Sequence, residues 1–260
     1  MSKNFDPNQN YYFFNKKSSI PIVFIHGVGL DHQMWNKQVD YLSEFSILTY
    51  DLLGHGKTPP NKDKLNLKDF SNQLLELLDH LKIEKINLVG FSLGSLIALD
   101  FSSHFQNKVK KLILIGTTYK RSDQERSLVL DRYNQAKLNK PISRQALKRW
   151  FSDKYLKENP ETYDFFIKIL NKIPDDHKNF LKAYELFANH YDDLEAIKKI
   201  DLKTLVMTGS EDVGSTPAMS KELVKDLVNS TYIEIKNGKH LCSIECADDV
   251  NMNIKKFINN

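Results

Sequence analysis

Cysteine is nearly absent: Cys242 and Cys246 are the only two in 260 residues. Two thiols make no disulfide framework, and a C-x-x-x-C without a second pair gives no zinc site, so both read as reduced intracellular cysteines. Long apolar runs are missing too. Nowhere do about 18 apolar residues follow one another, which leaves no membrane span. The start, Met1-Ser2-Lys3-Asn4-Phe5-Asp6-Pro7-Asn8, lacks the apolar stretch of a signal peptide, so a cytoplasmic location is expected. Charge of one sign is not in excess either. With 37 Lys+Arg against 33 Asp+Glu the net charge is +4, too mild and too evenly diluted for a nucleic-acid binder. Arginine is scarce outside one stretch: Arg121, Arg126, Arg132, Arg144 and Arg149 are all there are, while lysines spread throughout.

What is present has the balance of a single soluble globular enzyme, 41% hydrophobic and 27% charged, long enough for one α/β domain carrying an insertion. Short apolar runs bounded by turn residues alternate with amphipathic stretches, as in a largely parallel sheet buried on both faces. The runs are Ile20 to Ile25, Phe45 to Tyr50, Ile86 to Phe91, Lys111 to Ile115, Leu202 to Thr208 and Thr231 to Ile235. Helical patterns lie at Leu67 to Leu81, Leu93 to Phe105 and Ala247 to Ile258. Between Tyr119 and Lys199 no β run occurs, only four helix-like segments broken near Pro141, Pro160 and Pro174. Residues 1–118 and 200–260 are therefore expected to form the core, and 119–199 an inserted helical cap. Residues 1–19 read as either an edge strand around Tyr11 to Phe14 or a loose arm.

The decisive segment is Gly90-Phe91-Ser92-Leu93-Gly94, a G-x-S-x-G between a predicted strand and a predicted helix. That context forces a sharp turn at Ser92 and pushes its hydroxyl out over the strand ends, with small neighbours letting helix and strand approach. A serine needs a base, and the base an orienting carboxylate, in the order Ser, Asp or Glu, His. Asp212 follows the run ending at Thr208, with Glu211 as its rival. His240 follows the last run and the acid, which His26, His55, His80 and His190 do not. An imidazole with an ordinary pKa of about 6.5 can exchange the serine proton at neutral pH. Oxyanion donors are expected at the backbone amides of Leu93, on the helix start, and Val28, in the loop His26-Gly27-Val28-Gly29. His26 itself reads as a residue that holds that loop.

These segments together, with Tyr50-Asp51-Leu52-Leu53-Gly54-His55-Gly56-Lys57-Thr58, resemble the α/β-hydrolase superfamily from about Pro21 to Phe257. The resemblance implies an α/β-hydrolase fold, a mostly parallel eight-stranded sheet flanked by helices with an all-helical cap inserted after the sixth strand. It implies no cofactor and no metal. Within the superfamily, His240-Leu241-Cys242-Ser243-Ile244-Glu245-Cys246-Ala247 and Met34-Trp35-Asn36-Lys37-Gln38 resemble 3-oxoadipate enol-lactonases. The chain departs from them with Cys242 for a usual serine, Ser95 for a usual glycine, and Lys239 before the histidine.

The expected activity is cleavage of a small ester or lactone through Ser92, Asp212 and His240, by a monomer or homodimer. Alternatives on the same scaffold are a C–C bond hydrolase, a peroxide-using esterase (perhydrolase) or an acyltransferase, and, outside enzymes, a ligand receptor. A serine nucleophile argues against epoxide hydrolase and haloalkane dehalogenase, which need a carboxylate. An arginine fork binds a carboxylate bidentately, so cap arginines facing the pocket, Arg132 or Arg149 first, would anchor an acid-bearing substrate. The plainer alternative is a set of solvated helix charges, since Arg126 and Arg132 sit among acidic residues. Trp150, Phe151, Phe165, Phe166, Tyr184 and Phe187 are expected on the underside of the cap or in its packing, and Trp35 in the pocket wall or the core.

Overall fold

The computed structural model describes residues 4–17, 20–138, 143–170 and 174–260. Seven strands are present among them: β1 (Tyr12–Asn15), β2 (Ile22–Ile25), β3 (Ile47–Tyr50), β4 (Ile86–Phe91), β5 (Val109–Ile115), β6 (Thr204–Gly209) and β7 (Ser230–Ile235). They form one sheet in the order β1-β3-β2-β4-β5-β6-β7. Every pairing is parallel except β1 with β3, where Tyr12 lies opposite Tyr50 and Asn15 opposite Ile47.

The eight strands implied by the resemblance are thus reduced to seven, and the helical insertion follows the fifth. The reason lies ahead of β1. Asp6 accepts from the Asn10 backbone amide at 2.8 Å and from its side-chain amide at 2.7 Å, and Gln9 takes φ +64°. With Pro7 unable to donate to a ladder, the chain closes into a turn with a single bridge, Phe5 to Tyr11, where a further strand would run. Residues 11–14 accordingly divide between that bridge and the edge strand β1.

The continuous apolar runs are explained by burial on both faces. Along β2 all four side chains are buried; Val23 and Ile25 join one core with Leu48, Tyr50, Leu88, Leu112 and Val206, while Ile22 and Phe24 join the other with Ile47, Val89, Ile113 and Leu205. The period of two along each strand therefore divides one sheet between two cores. Each such side chain contributes roughly 1.5–3 kcal/mol of burial.

Helices cover both faces: α1 (Asn36–Tyr41), α2 (Leu67–His80) and α3 (Leu93–His104) precede the insertion. Within it lie α4 (Asp123–Lys137), α5 (Ser143–Trp150), α6 (Asp153–Glu158), α7 (Pro160–Leu170), α8 (Pro174–Asn189) and α9 (Leu194–Lys198). After it come α10 (Pro217–Asp226), α11 (Cys242–Glu245) and α12 (Ala247–Asn259). The helix α2 starts on a capping box, Asn66 with Asp69, and its stripe Phe70, Leu74, Leu77, Leu78 is buried in the first core. The second core takes Val250 and Ile254 of α12, whose last turn is closed by the buried Lys111 ammonium donating to the carbonyls of Phe257 (2.9 Å) and Ile258 (2.7 Å).

The insertion holds six helices among the described residues, where the sequence pattern suggested four segments. The expected break near Pro160 is present, and the added ones are the split between α5 and α6 and the separate α9. Ser152 accepts from the Tyr155 amide at 3.1 Å and so starts α6, and Pro160 stands at the first position of α7. The short α9 returns the chain to β6. The insertion packs as two groups, α4 with α8 and α5 with α6 and α7. The first group buries Val129, Tyr133, Ala183 and Phe187 in one core; the second buries Leu147, Phe151 and Phe166 in the other. No helix of the described residues is long and apolar enough to cross a membrane.

Candidate active site

At the carboxyl end of β4 the chain turns into α3 through Ser92, which takes φ +54° and ψ −116°. A non-glycine residue in that region is strained, and the surroundings hold it there. The Ser92 amide donates to the Ile115 carbonyl of β5 at 3.0 Å. The flanking glycines admit no side chain: a Cβ on Gly94 would lie 2.3 Å from the Ile25 carbonyl oxygen, and one on Gly90 2.3 Å from that of Gly94. Ser95, in place of the usual glycine, donates its hydroxyl to the Gly90 carbonyl (2.7 Å) and approaches that of Ile115 (3.1 Å), stapling β4 and β5 behind the turn.

The loop after β2 lies against this turn, a Cβ on Gly27 being 3.3 Å from that of Ser92. Val28 follows and Leu93 is the first residue of α3; among the described residues no backbone hydrogen bond runs from either amide. His26 holds the loop. Its Nδ1 lies 2.8 Å from the Gly27 carbonyl, its Nε2 accepts from the Leu52 amide at 3.0 Å, and burial keeps its pKa below the ordinary value. Next to it, Asp51 accepts from the His32 amide (2.9 Å) and ring Nδ1 (2.7 Å) and the Lys57 amide (2.8 Å). Burial alone would raise the Asp51 carboxyl, but those partners win and hold it below the ordinary carboxylate range.

Asp212 lies past the end of β6, fully buried, while Glu211 beside it is exposed. One Asp212 oxygen accepts the amides of Gly214 (2.8 Å) and Ser215 (2.9 Å), and the other sits 2.7 Å from His240 Nδ1. With Nδ1 donating to a carboxylate, the Nε2 lone pair is the free one on the ring. Phe91 packs against the His240 ring at 4.9 Å between centroids, and a Cβ on Gly116 would meet His240 Cε1 at 3.4 Å.

Ser92, Asp212 and His240 line one cavity of about 120 Å³ beneath the insertion. For scale, an apolar cavity of roughly 150 Å³ admits benzene, so the space suits a small substrate. Val28, Arg132, Arg149 and Trp150 line it as well. Arg149 is largely buried, which lowers its guanidinium pKa, with the Arg132 charge adding to the effect. Arg121, another of the five arginines but not one put first, also lines the cavity.

The remaining arginines are placed elsewhere. Arg126 stacks over the Tyr191 ring, 3.7 Å from its centroid, and the side chain of Arg144 lies outside the described residues. Trp35 does not border the cavity. It is fully buried between Phe24 (4.9 Å) and Phe91 (6.4 Å), at the end of the short helix His32–Trp35. Trp35 is therefore core and not pocket wall. Phe151 and Phe166 likewise pack against each other, 5.4 Å apart, inside the insertion, while Tyr184 and Phe187 reach the cavity.

Residues 20–246 match the family model of the alpha/beta hydrolase fold. The chain belongs to that family. A relative from Acinetobacter baylyi, (E)-2-((N-methylformamido)methylene)succinate hydrolase, is 27% identical over 96% of this chain and 95% of its own length. The 3-oxoadipate enol-lactonase 2 of the same organism is 24% identical over 91% of this chain and 87% of its own. Among solved structures, the enol-lactonase from Burkholderia xenovorans LB400 superposes with a TM-score of 0.88 at 24% identity, covering 96% of both chains. For an alpha/beta hydrolase the strand–Ser92–helix turn, the buried Asp212–His240 pair and a cavity under a helical insertion form one connected arrangement.

Proposed function

We propose that this alpha/beta hydrolase cleaves a small carboxylic ester or lactone, an enol-lactone included, with Ser92 as nucleophile, His240 as general base and acid, and Asp212 as the orienting carboxylate. The observation that carries the reading is the 2.7 Å bond between Asp212 and His240 Nδ1, which leaves Nε2 bare in the cavity that Ser92 also lines. His240 takes the Ser92 proton as Oγ attacks the carbonyl carbon, and Asp212 stabilises the imidazolium. The tetrahedral oxyanion is received by the amides of Val28 and Leu93, the second lying on the helix start of α3. Collapse of the intermediate sends the His240 proton to the leaving alkoxide and leaves an acyl group on Ser92. Water activated by His240 then releases the acid.

Arg132 and Arg149, with Trp150 as apolar wall, support a substrate that bears a carboxylate, because each guanidinium offers a planar fork to two oxygens. The names of the relatives, an enol-lactonase and a hydrolase of a substituted succinate, agree with a small acid-bearing substrate. Turnover of p-nitrophenyl acetate and labelling by a fluorophosphonate probe test the reading. Both are expected in the wild type and absent in Ser92→Ala; an unlabelled, folded wild-type protein with no turnover refutes it.

A further inference from the structure

The lining of the cavity combines a buried cation with exposed apolar side chains. Arg121, in the segment between β5 and α4, is 6% exposed. Its Nη2 is fixed by the carbonyls of Phe187 (2.8 Å) and His190 (3.1 Å), and its guanidinium carbon lies 5.0 Å from the Phe187 ring centroid. Its Nη1 is buried and has no acceptor. Among the described residues no carboxylate forms an ion pair with it. The nearby acid of the lining, Glu125, is engaged by Ser122 through the amide (2.7 Å) and the hydroxyl (2.8 Å). Burial, with the neighbouring Arg126 charge, pulls the Arg121 pKa down to about 10, which leaves it a cation at neutral pH. A buried guanidinium held through Nη2 alone, with Nη1 unanswered, keeps a donor that an anion can use.

Leu128 and Val213 are 52% and 73% exposed although both line the same cavity. Large apolar side chains elsewhere along this cavity, such as Phe91 and Val129, are buried. Exposed apolar residues at a cavity mouth are covered when an apolar group occupies it.

Resting on the ester reading above, we propose that the substrate is an amphipathic acid, with a carboxylate held by Arg121 and an alkyl or aryl group lying against Leu128 and Val213. Arg121 is then the residue that selects acids, ahead of Arg132 and Arg149, because of these three, among the described residues, it is the one fixed in place by backbone carbonyls.

Monoalkyl esters of glutaric acid, from methyl to hexyl, test the assignment against neutral alkyl butyrates of matched length. In the wild type kcat/KM is expected to favour the acid series and to rise with alkyl length. Replacing Arg121 with Gln is expected to cut kcat/KM for the acid series about 100-fold, the scale set by truncating a buried charge partner. The neutral series should lose far less than the acid series, and Arg121→Lys should recover part of the loss. Leu128→Ser combined with Val213→Ser should flatten the dependence on alkyl length without touching the acid preference. If Arg121→Gln keeps the preference for acids, or the wild type has none, the assignment is overturned while p-nitrophenyl acetate turnover leaves the hydrolase reading standing. Should Arg121→Gln fail to fold, competitive inhibition of the wild type decides: hexanoate is expected to bind at least about tenfold more tightly than hexanol, and equal binding overturns the proposal.

Discussion

The backbone amide of Leu241 donates to the carbonyl of Trp150 at 3.0 Å, so the residue after His240 is fixed to the end of α5 in the insertion. Two further ties flank it. Lys239 Nζ reaches the Lys148 carbonyl at 3.0 Å, and Glu245 accepts from the Ser152 amide (3.1 Å) and hydroxyl with one oxygen and from the Lys239 amide (3.2 Å) with the other. Arg149 and Trp150 lie between these ties. Glu245→Ala is expected to cost ~2 kcal/mol of stability from the unpaired donors, and to lower kcat and raise KM for acid-bearing esters together. Glu245→Gln, which keeps one acceptor, should fall between. Thermal unfolding and steady-state kinetics measure both; unchanged kinetics in a destabilised Ala variant would mean that the tie serves folding only.

Asp212 can be tested without removing its volume. In Asp212→Asn the side-chain amide no longer demands a proton on His240 Nδ1, so the ring adopts the tautomer that cannot receive the Ser92 proton on Nε2. A loss of about 10⁴-fold in kcat is expected, with little change in the melting temperature. Glu211→Gln, on an exposed side chain, should leave both unchanged.

The turn at Ser92 stores strain that glycine would release. Ser92→Gly is expected to abolish turnover yet to be more stable than Ser92→Ala by ~1 kcal/mol, since alanine keeps the penalty of positive φ. Gly94→Ala works in the other direction. Its Cβ would meet the Ile25 carbonyl oxygen at 2.3 Å, backbone against backbone, so loss of the folded protein is the expected result. Calorimetry on all three variants distinguishes these outcomes.

Asp51 gives a prediction with pH. Its carboxyl is held below the ordinary value of about 3.9 by His32 and the surrounding donors. A depressed carboxyl contributes stability that is fully present above the unfolded-state value and is lost as pH falls through the folded-state value. Asp51→Asn is therefore expected to be less stable than the wild type at pH 7, by roughly 1.5–3 kcal/mol, and the gap should close as pH drops below about 4. Melting temperatures between pH 7 and pH 3 provide the check, and a constant gap would contradict it.

Much of this was legible in the sequence because it is local. The runs at 20–25 and 86–91 read as strands since both faces of the sheet are buried, and Ser92 read as a turn since glycines flank it at two positions. The order of Asp212 and His240 after their strands could be read in the same way. What escaped depends on residues far apart in the chain. Arg121 looks like any helix-flanking arginine until the carbonyls of Phe187 and His190, more than 60 residues later, close around it. Trp35 sits in a short helix whose direction off the sheet no periodicity reveals. The turn that replaces an eighth strand hangs on the Asp6–Asn10 pair, and the split between α5 and α6 on one serine hydroxyl.

The insertion packs as two groups, and the cavity lies in the seam between them. Arg132, Tyr184 and Phe187 belong to α4 and α8; Arg149 and Trp150 belong to α5. A ligand in the seam touches both groups and acts as mortar between them, whereas parting the seam separates the anchoring side chains without unwinding a helix in either group. Hydrogen exchange in α4, α5 and α8 should slow together when the seam is filled.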